Sequence, residues 1–312
     1  MHDDYLWDRS GEPDPEIARL EQLLVPYRCG QGIVPELRPR RHRIMIWAAI
    51  AASIAAAAFI VTRTNRIPTQ WTVQMSDRDA KAVHVGETIE TDGAARATLS
   101  ALSVGEVRLE PNSRMQILHS GNEQERMALS RGTMHALIWA PPYRFRVETP
   151  SATTIDLGCE YTLQVFDDGS GLVKVSRGWV AFEANRTESF IPAGAECRTL
   201  PQTGPGVPFF EDASQKFRNA LLLFEDGAGR KSLDVLLAEA RSRDALTLWH
   251  LLSRTEPADR IRVAQKFAGF VANVDAAALG RGDKQAIESA WDALGFGDTQ
   301  WWRHWKQNWR GL

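Results

Sequence analysis

The chain has few of the residues that build a chemical centre. Of its 312 residues only three are cysteines, Cys29, Cys159 and Cys197, and no two of them stand two residues apart. The seven histidines, His2, His42, His84, His119, His135, His250 and His304, are scattered without metal-ligand spacing, which argues against a zinc site. There is no phosphate-cradling glycine loop, nucleophile elbow or zinc-protease helix. Charge of one sign is missing too: 37 Lys and Arg face 39 Asp and Glu, a net of −2 with no basic stripe, so direct nucleic-acid binding is not expected. The acid pair Asp167 and Asp168 lies in "DDGSG", which reads as a hairpin turn rather than as an acid–base pair. The expectation is a protein that is not an enzyme, with no catalytic residue, no cofactor and no metal site, and whose work is binding.

Long hydrophobic runs are absent with one exception. "RRHRIMIWAAIAASIAAAAFIVTRTNR" holds 19 uncharged residues, Ile44 to Thr62, fenced by arginines. As a helix this run covers roughly 28 Å, close to the hydrocarbon thickness of a bilayer. Ile44, Ile46, Ile50, Ile54, Phe59, Ile60 and Val61 drive its insertion, at about −2 to −4 kcal/mol together. A soluble core helix keeps a polar face, and this run offers only Ser53 and Thr62. The acidic stub before it is unlike the short basic segment of a cleaved signal peptide. The run is therefore expected to be a transmembrane anchor. Arg38, Arg40, Arg41 and Arg43 outnumber Arg63 and Arg66 around it, which puts the N-terminus in the cytoplasm and the bulk of the chain across the bacterial inner membrane in the periplasm. Ala49, Ser53 and Ala57 form a small-xxx-small ridge, open to two readings: filler, or the contact face of a homodimer.

The stub, residues 1–43, carries a helix signature. Asp14 is an N-cap, Pro15 takes the first helical position and Pro26 ends the run. Ile17, Leu20 and Leu24 form one apolar stripe, with Trp7 in a short segment before it. So short a stub cannot enclose a core, so these four residues are candidate partner-binding residues. The membrane surface is the competing target. The assigned topology isolates Cys29 and places Cys159 and Cys197 in one compartment. If that compartment is oxidising, these two form a possible disulfide, and buried free thiols are the alternative.

Beyond the anchor the texture changes twice. Within residues 63–200, alternating runs such as "VRLEP", "YTLQVF", "LVKVS" and "WVAFE" recur at intervals of roughly ten, which predicts an all-β domain, sandwich or solenoid-like. A glycine precedes several strands, at Gly86, Gly105, Gly132 and Gly178. Residues 201–210, "PQTGPGVPFF", read as a linker. Residues 211–312 follow a helical period in "SLDVLLAEA", "RDALTLWHLLSR", "ADRIRVAQKFAGFVANV" and "KQAIESAWDALG", predicting a domain of helical hairpins. In the tail, Trp301, Trp305 and Trp309 share one helical face, interleaved with Arg303, Lys306 and Arg310. That face suits either a membrane surface or the helical domain itself.

Two stretches carry a resemblance, "GEVRLEPNSRMQI" (Gly105 to Ile117) and "FRVETPSATTIDLGCEYTLQVFDDGSGLVKVSRGWVAFE" (Phe145 to Glu183). The first resembles the strand-turn-strand of FecR-type domains. The second resembles their Thr-Pro turn, Leu-Gly-x-x-aromatic strand, hairpin and Gly-x-Val strand, with Gly158 and Tyr161 in place and Cys159 where threonine is usual. The resemblance spans about residues 83–199. It implies a single-pass, anti-sigma-factor-like regulator whose cytoplasmic stub holds an extracytoplasmic-function sigma factor while the periplasmic FecR-like domain senses. Release would follow a periplasmic event such as proteolysis. The alternative is a membrane-tethered envelope module that binds polysaccharide or protein. The stub lacks the family's paired tryptophans and any zinc-binding set, and helices replace the small α+β module that often contacts an outer-membrane transporter.

Overall fold

The computed structural model describes residues 14–27, 70–76 and 79–296. The apolar run 44–62 with its Ala49, Ser53, Ala57 ridge, Trp7, Cys29 and the tail from residue 297 all lie outside these residues. The described residues fall into two units, 14–27 in the first and 70–296 in the second. Among them no helix is long and apolar enough to cross a membrane.

In the first unit, α1 (Pro15–Leu24) begins where Asp14 Oδ1 accepts from the backbone N–H of Glu16 at 2.9 Å and Pro15 takes the first helical position. A 3-10 turn, Val25–Tyr27, continues it through Pro26.

The second unit opens with sixteen strands linked into one continuous sheet. In chain order they are β1 (Trp71–Met75), β2 (Lys81–Val83), β3 (Thr88–Glu90), β4 (Ala97–Ala101), β5 (Gly105–Leu109), β6 (Arg114–Ser120), β7 (Glu125–Ile138) and β8 (Phe145–Glu148). There follow β9 (Thr153–Asp156), β10 (Glu160–Val165), β11 (Gly171–Arg177), β12 (Trp179–Ala184), β13 (Thr187–Pro192), β14 (Ala195–Leu200), β15 (Gly204–Pro205) and β16 (Phe209–Phe210). The 14-residue β7 belongs to two halves. Its N-terminal part pairs antiparallel with β6 and parallel with β8, and its C-terminal part pairs with β5 and β10. One half runs β2-β1-β4-β5-β7-β10-β11-β14, and the other runs β3-β6-β7-β8-β9-β12-β13. Alternate residues of both halves point into one apolar core that includes Leu99, Leu109, Met127, Leu129, Leu163 and Phe182. The chain turns from one half to the other at Gly132, whose φ is +90° and whose missing side chain leaves room for Ser113. At the far end Trp71 Nε1 donates to the buried Glu125 Oε2 at 3.0 Å, tying β1 to the start of β7.

The turns follow the sequence. Thr149 and Pro150 form the β8–β9 turn, closed by the Ala152 N–H on Thr149 Oγ1 at 3.0 Å. "DDGSG" joins β10 to β11, with Asp168 Oδ1 accepting from the Ser170 N–H at 2.9 Å. The Leu-Gly and Gly-x-Val motifs touch each other: a Cβ on Gly178 would lie 2.1 Å from the carbonyl oxygen of Gly158.

The segment expected to be a linker is not one. Residues 204–205 and 209–210 both pair with β14, and Val207, Phe209 and Phe210 are buried, so apolar side chains tie residues 201–210 to the sheet despite their prolines and glycines. The helices follow: α2 (Gln215–Leu223), a π turn (Phe224–Ala228), α3 (Arg230–Glu239), a 3-10 turn (Ser242–Asp244), α4 (Ala245–Leu252), α5 (Pro257–Ala268), α6 (Ala276–Arg281) and α7 (Lys284–Ala293). Ser214, Asp275 and Asp283 cap α2, α6 and α7 with their side chains. The helical period read to Val274 stops at Ala268, where Gly269 follows. All eight residues of α4 are buried, so it is the central helix of the array.

Gly178→Ala is expected to cost about 3 kcal/mol or more, because it adds a backbone clash to a left-handed φ of +72°. Gly86→Ala, at φ +92° with nothing within 4 Å of the added carbon, should cost about 1 kcal/mol. The difference in denaturant midpoints at unchanged slope measures the packing contribution.

Candidate functional site

The candidate partner-binding surface is α1. Leu20, Leu23 and Leu24 are each more than half exposed, as are Val25 and Tyr27, while Ile17 is half-buried. No residue of α1 is buried. The structure thus brings Ile17, Leu20 and Leu24 together on one short helix, and Trp7 lies outside the described residues. Leu23, Val25 and Tyr27 extend the apolar surface beyond the stripe first read. Leu23 was legible at three residues from Leu20; Val25 and Tyr27 were not, because Pro26 marked a stop and the chain instead continues as a 3-10 turn. The leucines of such a surface fit a matching apolar groove.

The second locality is where the helices meet the β12–β13 hairpin. Sheet edges leave backbone groups bare, and β13 is an edge. Two side chains of α4 and its end cover it. His250 Nε2 accepts from the Phe190 N–H at 3.1 Å while its Nδ1 donates to the Leu246 carbonyl at 2.9 Å. Arg254 donates to the Glu188 carbonyl at 3.1 Å, to Ser189 Oγ at 2.6 Å and to the Pro205 carbonyl at 2.7 Å. Burial holds His250 neutral, pushing it down to about 3. Trp291 of α7 fills the centre, 4.7 Å from the Trp249 ring, 5.6 Å from Phe190 and 5.9 Å from Trp179.

At the hairpin end, Glu183 and Glu188 stand directly opposite each other. Burial, and then the charge of Glu183, raises Glu188 to about 9; burial likewise raises Glu183, against the pull of Arg146.

The possible disulfide is corrected: Cys159 and Cys197 are both free and buried. Cys197 lies opposite Val173, and Val173 lies opposite Leu163, four residues beyond Cys159. Two strand spacings and four residues set the two Cα atoms roughly 16 Å apart, where a disulfide needs less than about 7 Å. Each thiol has its own acceptor. Cys159 Sγ donates to Asp156, whose carboxyl burial lifts to about 7, and Cys197 Sγ reaches the Gly206 carbonyl at 3.3 Å. Among the described residues no group of three or more His, Cys, Asp or Glu is placed to hold a metal ion.

The architecture is a two-halved β unit extended by helices. Residues 87–181, from the turn before β3 to β12, match the family model described as FecR protein. Two crystal structures of an anti-sigma factor candidate from Parabacteroides distasonis ATCC 8503, at 1.65 and 2.50 Å resolution, are similar at 18% and 16% identity, each with a TM-score of 0.36. The alignments cover 44% and 48% of this chain, and 64% and 74% of the respective structures. No curated protein matches.

Two outcomes are expected. Cys159 and Cys197 should resist alkylation in the native protein and both react after denaturation without prior reduction, as peptide mapping would read. Glu188, raised above its unfolded value, contributes stability that is full below about pH 4.5 and lost as pH rises through about 9. Unfolding midpoints should therefore fall across that window, and Glu188→Gln should flatten the decline.

Proposed function

We propose that the chain is a transmembrane sigma-factor regulator. In this reading residues 44–62 anchor it in the inner membrane, residues 1–43 lie in the cytoplasm, and α1 with Trp7 holds an extracytoplasmic-function sigma factor against polymerase. The FecR domain and its helices then lie in the periplasm and sense. The role is one of binding, not catalysis. The observation that carries the reading is the apolar surface of α1, with Leu20, Leu23 and Leu24 in solvent on a helix that belongs to a different unit from the FecR domain. The FecR match at residues 87–181 gives that helix its context.

Sequestration is a matter of covered area. Two leucines seated in an apolar groove contribute about 1.5–3 kcal/mol each. Replacing them with aspartate forfeits that and buries a charge. Full-length protein, co-expressed with the sigma factors of its host and purified from membranes, should retain one of them. Leu20→Asp with Leu24→Asp should lower that retention by about a hundredfold or more. Retention of no sigma factor by the unaltered chain would refute the regulator reading.

A further inference from the structure

The exposed apolar side chains of the second unit gather at one end. Among its described residues seven large hydrophobic ones stand in solvent, and four of them, Val85, Leu102, Leu137 and Trp139, lie at the end of the sheet where β1 begins. The strand register fixes this. Trp71, at the start of β1, pairs with Val83, after which the chain turns through Val85. Thr72 pairs with Ser100 near the end of β4, and Leu102 follows in the β4–β5 turn. Gly105, at the start of β5, pairs with Ile138 at the end of β7, and Trp139 comes next. Leu137 lies beside them, between Glu106 and Glu160 of the neighbouring strands.

Leu102 is 99% exposed, Val85 55% and Trp139 54%. Backbone bonds hold two of them in place. The Val104 carbonyl accepts from the N–H groups of both Trp139 and Ala140 at 3.0 Å, and Trp139 Nε1 donates to the Leu102 carbonyl at 2.9 Å. The turn therefore presents Leu102 outward on a fixed support, and the indole N–H keeps its partner when the ring enters an apolar medium. The acids nearby are paired, Glu106 with Arg108 at 2.6 Å and Glu160 with Arg177 at 3.4 Å, so apolar contact rather than charge decides what this end binds.

The length of chain before β1 says what lies within reach. In the proposed function residues 44–62 anchor the chain in a bilayer, and this inference rests on that reading. The eight residues between Thr62 and Trp71 extend to at most roughly 30 Å, and Trp71 stands at the same end of the sheet as the exposed residues. A tether so short gives the lipid surface an effective concentration of about millimolar or more at this end, so a small apolar patch suffices to hold it. We propose that Val85, Leu102 and Trp139 dock this end of the sheet onto the membrane surface, with Leu102 entering the acyl boundary and the Trp139 ring at the level of the headgroups.

The test is a photo-crosslink in the full chain reconstituted into phosphatidylcholine vesicles, whose lipid carries no net charge. Benzoylphenylalanine is incorporated in place of Leu102 and, in a second sample, in place of Phe166, an exposed residue at the other end of β10. Mass spectrometry should find lipid adducts at position 102 at least tenfold more abundant than at position 166. Replacing two exposed side chains, Val85→Asp with Trp139→Asp, should lower the adduct at position 102 by about tenfold or more at an unchanged unfolding midpoint. Flotation of the vesicles after an alkaline wash reads the anchor separately. A chain that does not float overturns the anchor reading and this proposal with it. A chain that floats but gives no adduct at position 102, or equal adducts at both positions, overturns the docking alone. A product that joins two copies through position 102 also overturns it, because a second chain then covers the patch.

Discussion

The second unit depends on one strand doing two jobs. β7 gives its first residues to the half that contains β6 and β8 and its last to the half that contains β5 and β10. A strand can serve two sheets only if its backbone swings between them, and it swings at Gly132. There a φ of +90° and the close approach of Ser113 leave no room for a side chain. The Ser113 hydroxyl fills the space and bonds both ways, accepting from the Thr133 N–H at 2.9 Å and donating to the Thr133 carbonyl at 3.1 Å. The bend is thus hydrogen-bonded as well as sterically defined. With the halves joined there, alternate residues on both sides face one core.

A sheet so built still has open edges, and the helices answer one of them. β13 presents the Phe190 N–H and the Glu188 carbonyl outward, and His250 and Arg254, four residues apart on one helical side, meet both groups. This is why the mostly apolar α4 carries His250 in its last turn and is followed by Arg254: they replace the strand that β13 lacks. The hold is selective for a neutral imidazole, because only an unprotonated Nε2 can accept from a backbone N–H. The helices and the β domain are therefore one compact unit rather than two beads on a string, and the proline-rich segment between them is part of the sheet.

The stub's helix is built on the opposite principle. Its N-cap and first-turn proline stabilise it locally, and its leucines stay in solvent. A ten-residue helix is marginal alone. Docking its apolar face would bury these leucines, which couples its stability to the partner in the proposed function.

Local chemistry was legible in the sequence. The Asp14–Pro15 start, the Thr149–Pro150 turn and the "DDGSG" hairpin are short-range rules that few residues suffice to state. The β-to-α order followed from hydrophobic period, and the FecR resemblance from motifs whose glycines, Gly158 and Gly178, prove to touch. What the tertiary structure decided was every matter of long range. Whether Cys159 and Cys197 meet depends on the strand order β10-β11-β14, which no spacing encodes. Whether residues 201–210 hang free depends on Val207, Phe209 and Phe210 finding buried places on the sheet. The role of His250, one of seven scattered histidines in the sequence, appears only when α4 lies against β13. Pairing between distant strands and the docking of a helix on an edge are chosen by the summed burial of the whole core, and no local window of sequence contains that sum.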